Sequence, residues 1–347
     1  MRKVCIIGCF ADTLDLLNGQ TVKTKIVYKE LEKSLGCDEV MKIDTYGGMK
    51  TLVKTPIIVL NALKNAENII ILPAENGLRI IAPLLIGFNS VFKRNIYYDV
   101  IGGWLPEFVK KRKWLGIFLK KINSIFVETS SMGGQLESQG YNNIDVIPNC
   151  KELVILDAKT IKHTDTKPYR LCTFSRVTKE KGIEDAVQAV CEINSMHNDV
   201  FAELDVYGQT EDNQKEWFEK LQTLAPQYIR YKGMVPFTQS TKVLKEYDAL
   251  LFPTYYEGEG FAGTIIDAFA AGLPVIASDW KYNSEIIKSG MTGVIFKTHS
   301  ISELKAAIMS IDSDIKKWNL MRQNCVSEAK RYLPANAMKK LIDIVNG

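Results

Sequence analysis

The chain lacks most of what would tie it to an oxidising compartment, a metal ion or a bilayer core. Its seven cysteines (5, 9, 37, 150, 172, 191 and 325) are odd in number, scattered and form no CxxC pair. That excludes a disulfide framework or zinc ribbon and fits reduced thiols in a cytoplasmic protein. There are only three histidines (163, 197 and 299), none of them clustered, so no metal set is expected. No apolar run is long enough to span a bilayer. The N-terminal MRKVCIIGCFAD superficially suggests a signal sequence, but the run is short, contains Gly8 and meets Asp12 at once, so it reads as a buried first strand. No GxGxxG follows that strand, which argues against an NAD-dependent oxidoreductase. Neither a solenoid repeat nor a low-complexity tract is present. Net charge is only +4, far too little to imply nucleic acid.

What is present is an ordinary globular composition on a chain of two-domain length. With 347 residues, 46% apolar and 24% charged, each half can build its own core. Charge is uneven: residues 1–166 hold 22 Lys/Arg against 17 Asp/Glu, a net of +5, and the rest 22 against 23. Apolar runs at 4–8, 68–74, 95–102, 124–129 and 144–149 read as strands of a parallel sheet separated by helices. After a polar, irregular stretch at 150–167, which reads as a linker, the pattern restarts. Strands are expected at 170–174, 202–208, 229–235, 249–254, 274–278 and 293–297, with helices at 213–224 and 237–246 between them. The end is helical, at 301–311, 313–331 and 335–346, with Pro334 between the last two. The class is α/β, two doubly wound Rossmann-like domains.

The organising stretch is Phe252 to Ser278, FPTYYEGEGFAGTIIDAFAAGLPVIAS. It reads as a strand end closed by Pro253, a loop with Gly258, Gly260 and Gly263, a helix from about Ala262 or Gly263, and a second buried strand. Free backbone amides at a helix N-terminus bind anions. Glu259 on the loop and Asp267 one turn inside the helix add two carboxylates. That pairing suits a ligand bearing both hydroxyls and phosphates, such as a nucleotide sugar. A buried βαβ unit with solvated acids would explain the Ala and Ile pattern, but not two acids and three glycines at one helix entrance.

This stretch resembles the E-x7-E signature of the retaining GT-B glycosyltransferases of family 4, enzymes common in bacterial surface-polysaccharide assembly. Glu259-Gly260-Phe261-Ala262-Gly263-Thr264-Ile265-Ile266-Asp267 keeps the spacing, with Asp267 in place of the second glutamate. Ser175-Arg176-Val177-Thr178-Lys179-Glu180-Lys181-Gly182 resembles the family's G-R-x-x-x-x-K-G stretch, with Ser175 departing from the glycine. The resemblance implies a GT-B fold, two such domains facing a deep cleft. Residues 1–160 would be the acceptor domain, 161–334 the nucleotide-sugar domain, and 335–347 would return to the first. It implies transfer of a sugar from a UDP- or GDP-sugar, UDP foremost, to a glycan or lipid-linked glycan, without a metal. Arg176, Lys181 and Glu259 would carry the catalysis, the cations holding the diphosphate together with amides near Thr264 and Ile265. Asp267 would take the ribose hydroxyls, Gly260, Phe261, Ala262 and Gly263 would line the donor, and Gly19, in the loop ending Asn18-Gly19-Gln20, would lie under its diphosphate. Met234 and Val235 would meet the base, although core packing is their default role.

The first half departs from the family in having no histidine near the reacting sugar. Asp99, Gly102 and Gly103 stand there instead, and with Gln20 and Lys23 they are the expected acceptor contacts. The segment 107–125 reads as one helix with Leu115, Phe118, Leu119 and Ile122 inward. Its other side carries Lys110, Lys113, Trp114, Ile117, Lys120 and Lys121, a face suited to peripheral contact with anionic lipid on the inner side of a cell membrane. The departures keep two alternatives open: a non-catalytic nucleotide-sugar-binding subunit, and a nucleotide-sugar epimerase that converts donor without acceptor.

Overall fold

The computed structural model describes residues 1–12, 19–47 and 49–347. Two compact units divide the chain: Met1–Glu152 with Tyr332–Gly347, and Leu153–Arg331. The first unit holds β1 (Arg2–Gly8), α1 (Gly19–Leu35), β2 (Val40–Asp44), α2 (Met49–Asn65), β3 (Ala66–Leu72), α3 (Glu75–Phe92) and β4 (Asn95–Asp99). α4 (Leu105–Lys111), α5 (Lys113–Leu119), β5 (Ser124–Val127), α6 (Ser130–Glu137) and β6 (Ile144–Val146) complete its main part. All six strands are parallel, in the order β2-β1-β3-β4-β5-β6.

Strands this apolar need cover on both faces. On one face Val4, Ile6 and Ile70 pack against Ile26, Val27 and Leu31 of α1. Ala337, Met338, Leu341 and Val345 from the C-terminal segment share that core. β2 follows β1 in one direction while β3, β4, β5 and β6 follow in the other, so right-handed crossovers put α2 to α5 on the opposite face.

The second unit holds β7 (Tyr169–Phe174), α7 (Ile183–Ser195), β8 (Ala202–Tyr207), α8 (Lys215–Leu224), β9 (Ile229–Gly233), α9 (Ser240–Leu244) and β10 (Ala249–Phe252). Then come α10 (Gly263–Ala270), β11 (Val275–Ser278), α11 (Asn283–Ile286), β12 (Gly293–Phe296), α12 (Ile301–Ser313) and α13 (Ile315–Ala329). Back in the first unit are α14 (Pro334–Ala337) and α15 (Lys339–Asn346). The strand order is β12-β11-β10-β7-β8-β9, again all parallel. α7 shows why the sequence folds locally as it does: Ile183, Ala186, Val187, Val190 and Ile193 recur at helical spacing, and all are buried.

Four differences from the sequence reading have physical causes. β2 was not expected, because VMKID is a half-buried edge strand with a weak apolar pattern. The single helix expected at 107–125 is two, broken at Arg112, whose backbone (φ −131°, ψ 62°) leaves the helical region while its guanidinium lies 4.2 Å over the Phe108 ring. The first boundary lies at Glu152 rather than 160, since the Leu156 amide bonds the Ala270 carbonyl at 2.9 Å within the second unit. The second lies at Arg331 rather than 334, the Lys151 amide bonding the Tyr332 carbonyl. All seven cysteines are free, and burial pushes the Cys5 and Cys150 thiols up to about 12, so these two are inert.

Candidate functional site

Strand order selects where a ligand can sit. In the second sheet the chain runs from β7 outward to β8 and β9, then returns to the other side of β7 with β10. The crevice beyond the carboxyl ends of β7 and β10 is therefore the topological switch point, where open α/β sheets bind ligands. The loop after β7 carries Arg176 and Lys181; the loop after β10 carries Glu259 and leads into α10. Residues about eighty positions apart are neighbours because two adjacent strands end there.

The two loops are tied through the main chain. The Glu180 carbonyl accepts from the Tyr255 amide at 2.8 Å and from Thr254 Oγ1 at 3.3 Å. Gly182 follows at φ +70°, where an added Cβ would stand 2.1 Å from the Pro253 carbonyl oxygen, so only glycine lets the loops approach this closely. Lys181 then reaches Glu259, Nζ to Oε2 2.5 Å, and Thr254 Oγ1 donates to the same oxygen at 2.9 Å. Both charged side chains are only 8% exposed. A pair so desolvated must be matched, because either charge alone would be costly to bury.

Arg176 stands at the exposed side, with 52% of its side chain accessible, and pairs with Glu211. Its guanidinium carbon lies 5.3 Å from the centre of the Tyr256 ring, and Lys181 Nζ lies 4.9 Å from the same ring. Lys181 Nζ is also 5.6 Å from the Phe252 ring. Burial opposes the charge on Arg176, but hydrogen bonding to Tyr256 and the charge of Glu211 outweigh it and raise its pKa. Both cations thus converge on one aromatic ring beside Glu259.

α10 begins at Gly263 after Ala262, which offers no side-chain cap. Gly260, Phe261 and Asp267 are buried, and Thr264 Oγ1 has no hydrogen-bond partner among the described residues. One expectation is corrected here. The Ile265 amide donates to the Ala262 carbonyl at 3.0 Å, because the first turn tightens, so it is not open to a phosphate. Met234, at the end of β9, is 68% exposed, which rules out core packing for it; Val235 is half-buried.

In the first unit Gly19 opens α1, and a Cβ there would meet no described atom within 4 Å, so the fold does not require glycine. Asn18 lies outside the described residues. Gln20 Nε2 donates to the Leu72 carbonyl at 3.2 Å. Lys23 and Asp99, expected as acceptor contacts, are buried together. Lys23 Nζ is 2.8 Å from Asp99 Oδ1, 3.3 Å from Glu128 Oε1 and 3.0 Å from the Val100 carbonyl. The attraction between Lys23 and Asp99 is chiefly coulombic. Burial disfavours the ammonium, yet Asp99 and Glu128 outweigh it and raise the Lys23 pKa. Both side chains spend their charge inside the domain. Gly102, at φ +83°, and buried Gly103 follow β4. Lys110, Lys113, Trp114, Ile117, Lys120 and Lys121 are all exposed. Among the described residues no His/Cys/Asp/Glu group could hold a metal, and no helix is long and apolar enough to cross a membrane.

Sequence reasoning missed Thr254, Tyr256 and Glu211. The first two sit inside the quoted motif, five and three residues before Glu259, where a β-strand's closing turn had to place something. Glu211 lies in a polar loop with no signal at all.

Two doubly wound parallel sheets, with cations and a carboxylate at the second switch point, define a Rossmann-like two-domain protein of the GT-B type. Residues 156–331 match the family described as Glycosyl transferases group 1, and the chain belongs to it. It is 25% identical over 182 residues to an uncharacterized glycosyltransferase, MJ1069, of Methanocaldococcus jannaschii, covering 51% of this chain and 44% of that one. It is 29% identical over 183 residues to the GtfA subunit of the UDP-N-acetylglucosamine–peptide N-acetylglucosaminyltransferase of Streptococcus gordonii, covering 52% and 35%. The chain therefore matches less than half the length of these relatives. In fold it is similar to Anabaena Alr3699/HepE, solved in complex with UDP, at a TM-score of 0.75 and 14% identity over all of both chains. It is similar also to sucrose-phosphate synthase of Thermosynechococcus elongatus, TM-score 0.75 and 15% identity over 100% and 99% of the two chains.

Proposed function

We propose that the chain is a retaining glycosyltransferase of the family 4 type, moving a sugar from a nucleotide donor, UDP-linked foremost, to a saccharide or lipid-linked acceptor. The single observation that carries this reading is the Arg176, Lys181 and Glu259 cluster at the β7/β10 switch point. Arg176 and Lys181 take the donor diphosphate, whose β-phosphate gains charge as the glycosidic bond breaks. Glu259, held by Lys181 and Thr254 Oγ1, accepts hydrogen bonds from sugar hydroxyls and offsets positive charge at the anomeric carbon. Asp267 takes the ribose hydroxyls, Met234 and Val235 flank the base, and the uncapped start of α10 at Gly263 and Thr264 faces the phosphates. Two fixed cations and a helix end supply the charge stabilisation without a metal. HepE has been solved with UDP-glucose as well as UDP, which supports UDP as the carrier. Calorimetric titration of the whole chain with UDP, GDP and ADP tests the donor: one of them should bind, and none binding would overturn the reading.

We also infer that the acceptor is reached at an anionic membrane surface, as suits assembly of a surface polysaccharide. α3 packs between α2 and α5, and this row of helices exposes Val53, Ile57, Val91, Trp114 and Ile117 among lysines. Residues 53–123 hold 11 Lys/Arg against 4 Asp/Glu. An apolar-aromatic and basic face fits acidic headgroups, each nearby cation adding about 1 kcal/mol. At low salt the protein should float with phosphatidylglycerol vesicles and not with phosphatidylcholine, and W114A/I117A should stay at the bottom. Equal behaviour with both lipids would contradict the inference.

A further inference from the structure

We propose that Tyr256 is a positioning residue for the donor diphosphate, and that Glu211 occupies Arg176 until a phosphate displaces it. The inference rests on the nucleotide-sugar reading above and goes beyond it to what holds the two cations side by side.

Arg176 and Lys181 both lie over the Tyr256 ring, at 5.3 and 4.9 Å from its centre, and each is neutralised by a different carboxylate. The two pairs are not equivalent. Lys181 and Glu259 are each 8% exposed, so they stay matched. Arg176 and Glu211 are 52% and 37% exposed, and a solvated pair of that kind has little net strength and exchanges readily. A phosphate, with more charge and more acceptor oxygens than a carboxylate, outcompetes Glu211 for the guanidinium fork. Once Glu211 leaves, the aromatic ring is the contact that keeps Arg176 beside Lys181.

The ring itself is built in. The Trp280 indole N–H donates to the Tyr256 carbonyl at 2.8 Å, and the Tyr256 amide donates to Thr254 Oγ1 at 3.2 Å. Gly258 leaves room for it: a Cβ there would stand 2.7 Å from the ring edge. Thr254 also holds Glu259, so one hydroxyl sets both the ring's backbone and the carboxylate. The device has a consequence opposite in sign to a stabilising contact, because Glu211 competes with the donor.

UDP titration of the full chain by calorimetry tests it, with GDP or ADP substituted if the wild type selects one of those. Glu211→Gln should bind about 3- to 10-fold more tightly at low salt, since it removes a competing charge next to the phosphate subsite. The gain should vanish in an Arg176→Gln background, which a general structural effect would not do. Tyr256→Phe, which keeps the ring face and loses only the hydroxyl that hydrogen-bonds Arg176, should bind no more than about 3-fold more weakly, and Tyr256→Leu about 10-fold more weakly. Unchanged or weaker binding by Glu211→Gln, or a Tyr256→Leu affinity equal to wild type, would overturn the proposal while leaving the donor reading intact. If the wild type binds none of the three nucleotides, the donor reading fails and this inference fails with it.

Discussion

Glu259→Gln should release nucleoside diphosphate from the donor at least about 100-fold more slowly than wild type, about 3 kcal/mol of lost transition-state stabilisation. The substitution keeps the side chain's size and leaves Thr254 Oγ1 and Lys181 Nζ an amide oxygen to contact, but the buried Lys181 charge loses its counter-ion, so the thermal midpoint should fall as well. What disappears is the negative charge beside an anomeric carbon that becomes electron-poor as the leaving group departs. Affinity for UDP alone, which has no sugar, should not fall, because the substitution removes a charge that competes with the phosphates for Lys181. Steady-state rates and the UDP titration separate the two effects. A variant with near-normal turnover would place Glu259 away from the reacting sugar.

Lys181→Met should have the second large effect, and on stability as well as binding. Removing one partner of a buried ion pair leaves the other charge uncompensated, at about 3 kcal/mol or more. Glu259 is 8% exposed and would keep only the Thr254 hydroxyl among its described partners. Thermal unfolding should show a midpoint lower by roughly 6 °C or more. The double variant Lys181→Met/Glu259→Gln should recover at least half of that loss, because the orphaned charge is gone. Strict additivity of the two changes would mean that the pair does not act as a unit. UDP binding should be weak in both variants, since the phosphate cation is missing in each.

Much of the fold was legible because burial on both faces forces parallel strands to read as short apolar runs. VCIIG, LLF and VIAS could be placed without any knowledge of their neighbours. β2 was not legible, since an edge strand that is half-buried carries almost no pattern. The break at Arg112 was hidden because the apolar positions Leu115, Leu119 and Ile122 keep helical spacing across a stretch that starts a new helix.

The site divides along the same line. Glu259 and Asp267 were read from one loop and its helix, Arg176 and Lys181 from a family resemblance, and the structure brings Arg176, Lys181 and Glu259 together. What spacing could not show is which residues meet across strands: the Lys181–Glu259 pair and the shared Tyr256 ring depend on β10 returning to the side of β7, and the Glu211 counter-ion on β8 lying along its other side. The same holds in the first unit. Lys23 and Asp99 were read as open to an acceptor, but the end of β4 and the start of α1 bring them together with Glu128 in the buried interior of the domain. Local turn geometry supplied the remaining correction, at Ile265, where a tighter first turn uses the amide expected to meet a phosphate.

The claim on which the account depends is that Arg176 and Lys181 hold a nucleoside diphosphate next to Glu259. A crystal structure of the chain with UDP tests it most directly. The account predicts β-phosphate oxygens at hydrogen-bonding distance, about 3 Å, from both cations, with Glu211 released from Arg176. UDP phosphates bound away from Arg176 and Lys181, with both cations still on their carboxylates, would contradict it.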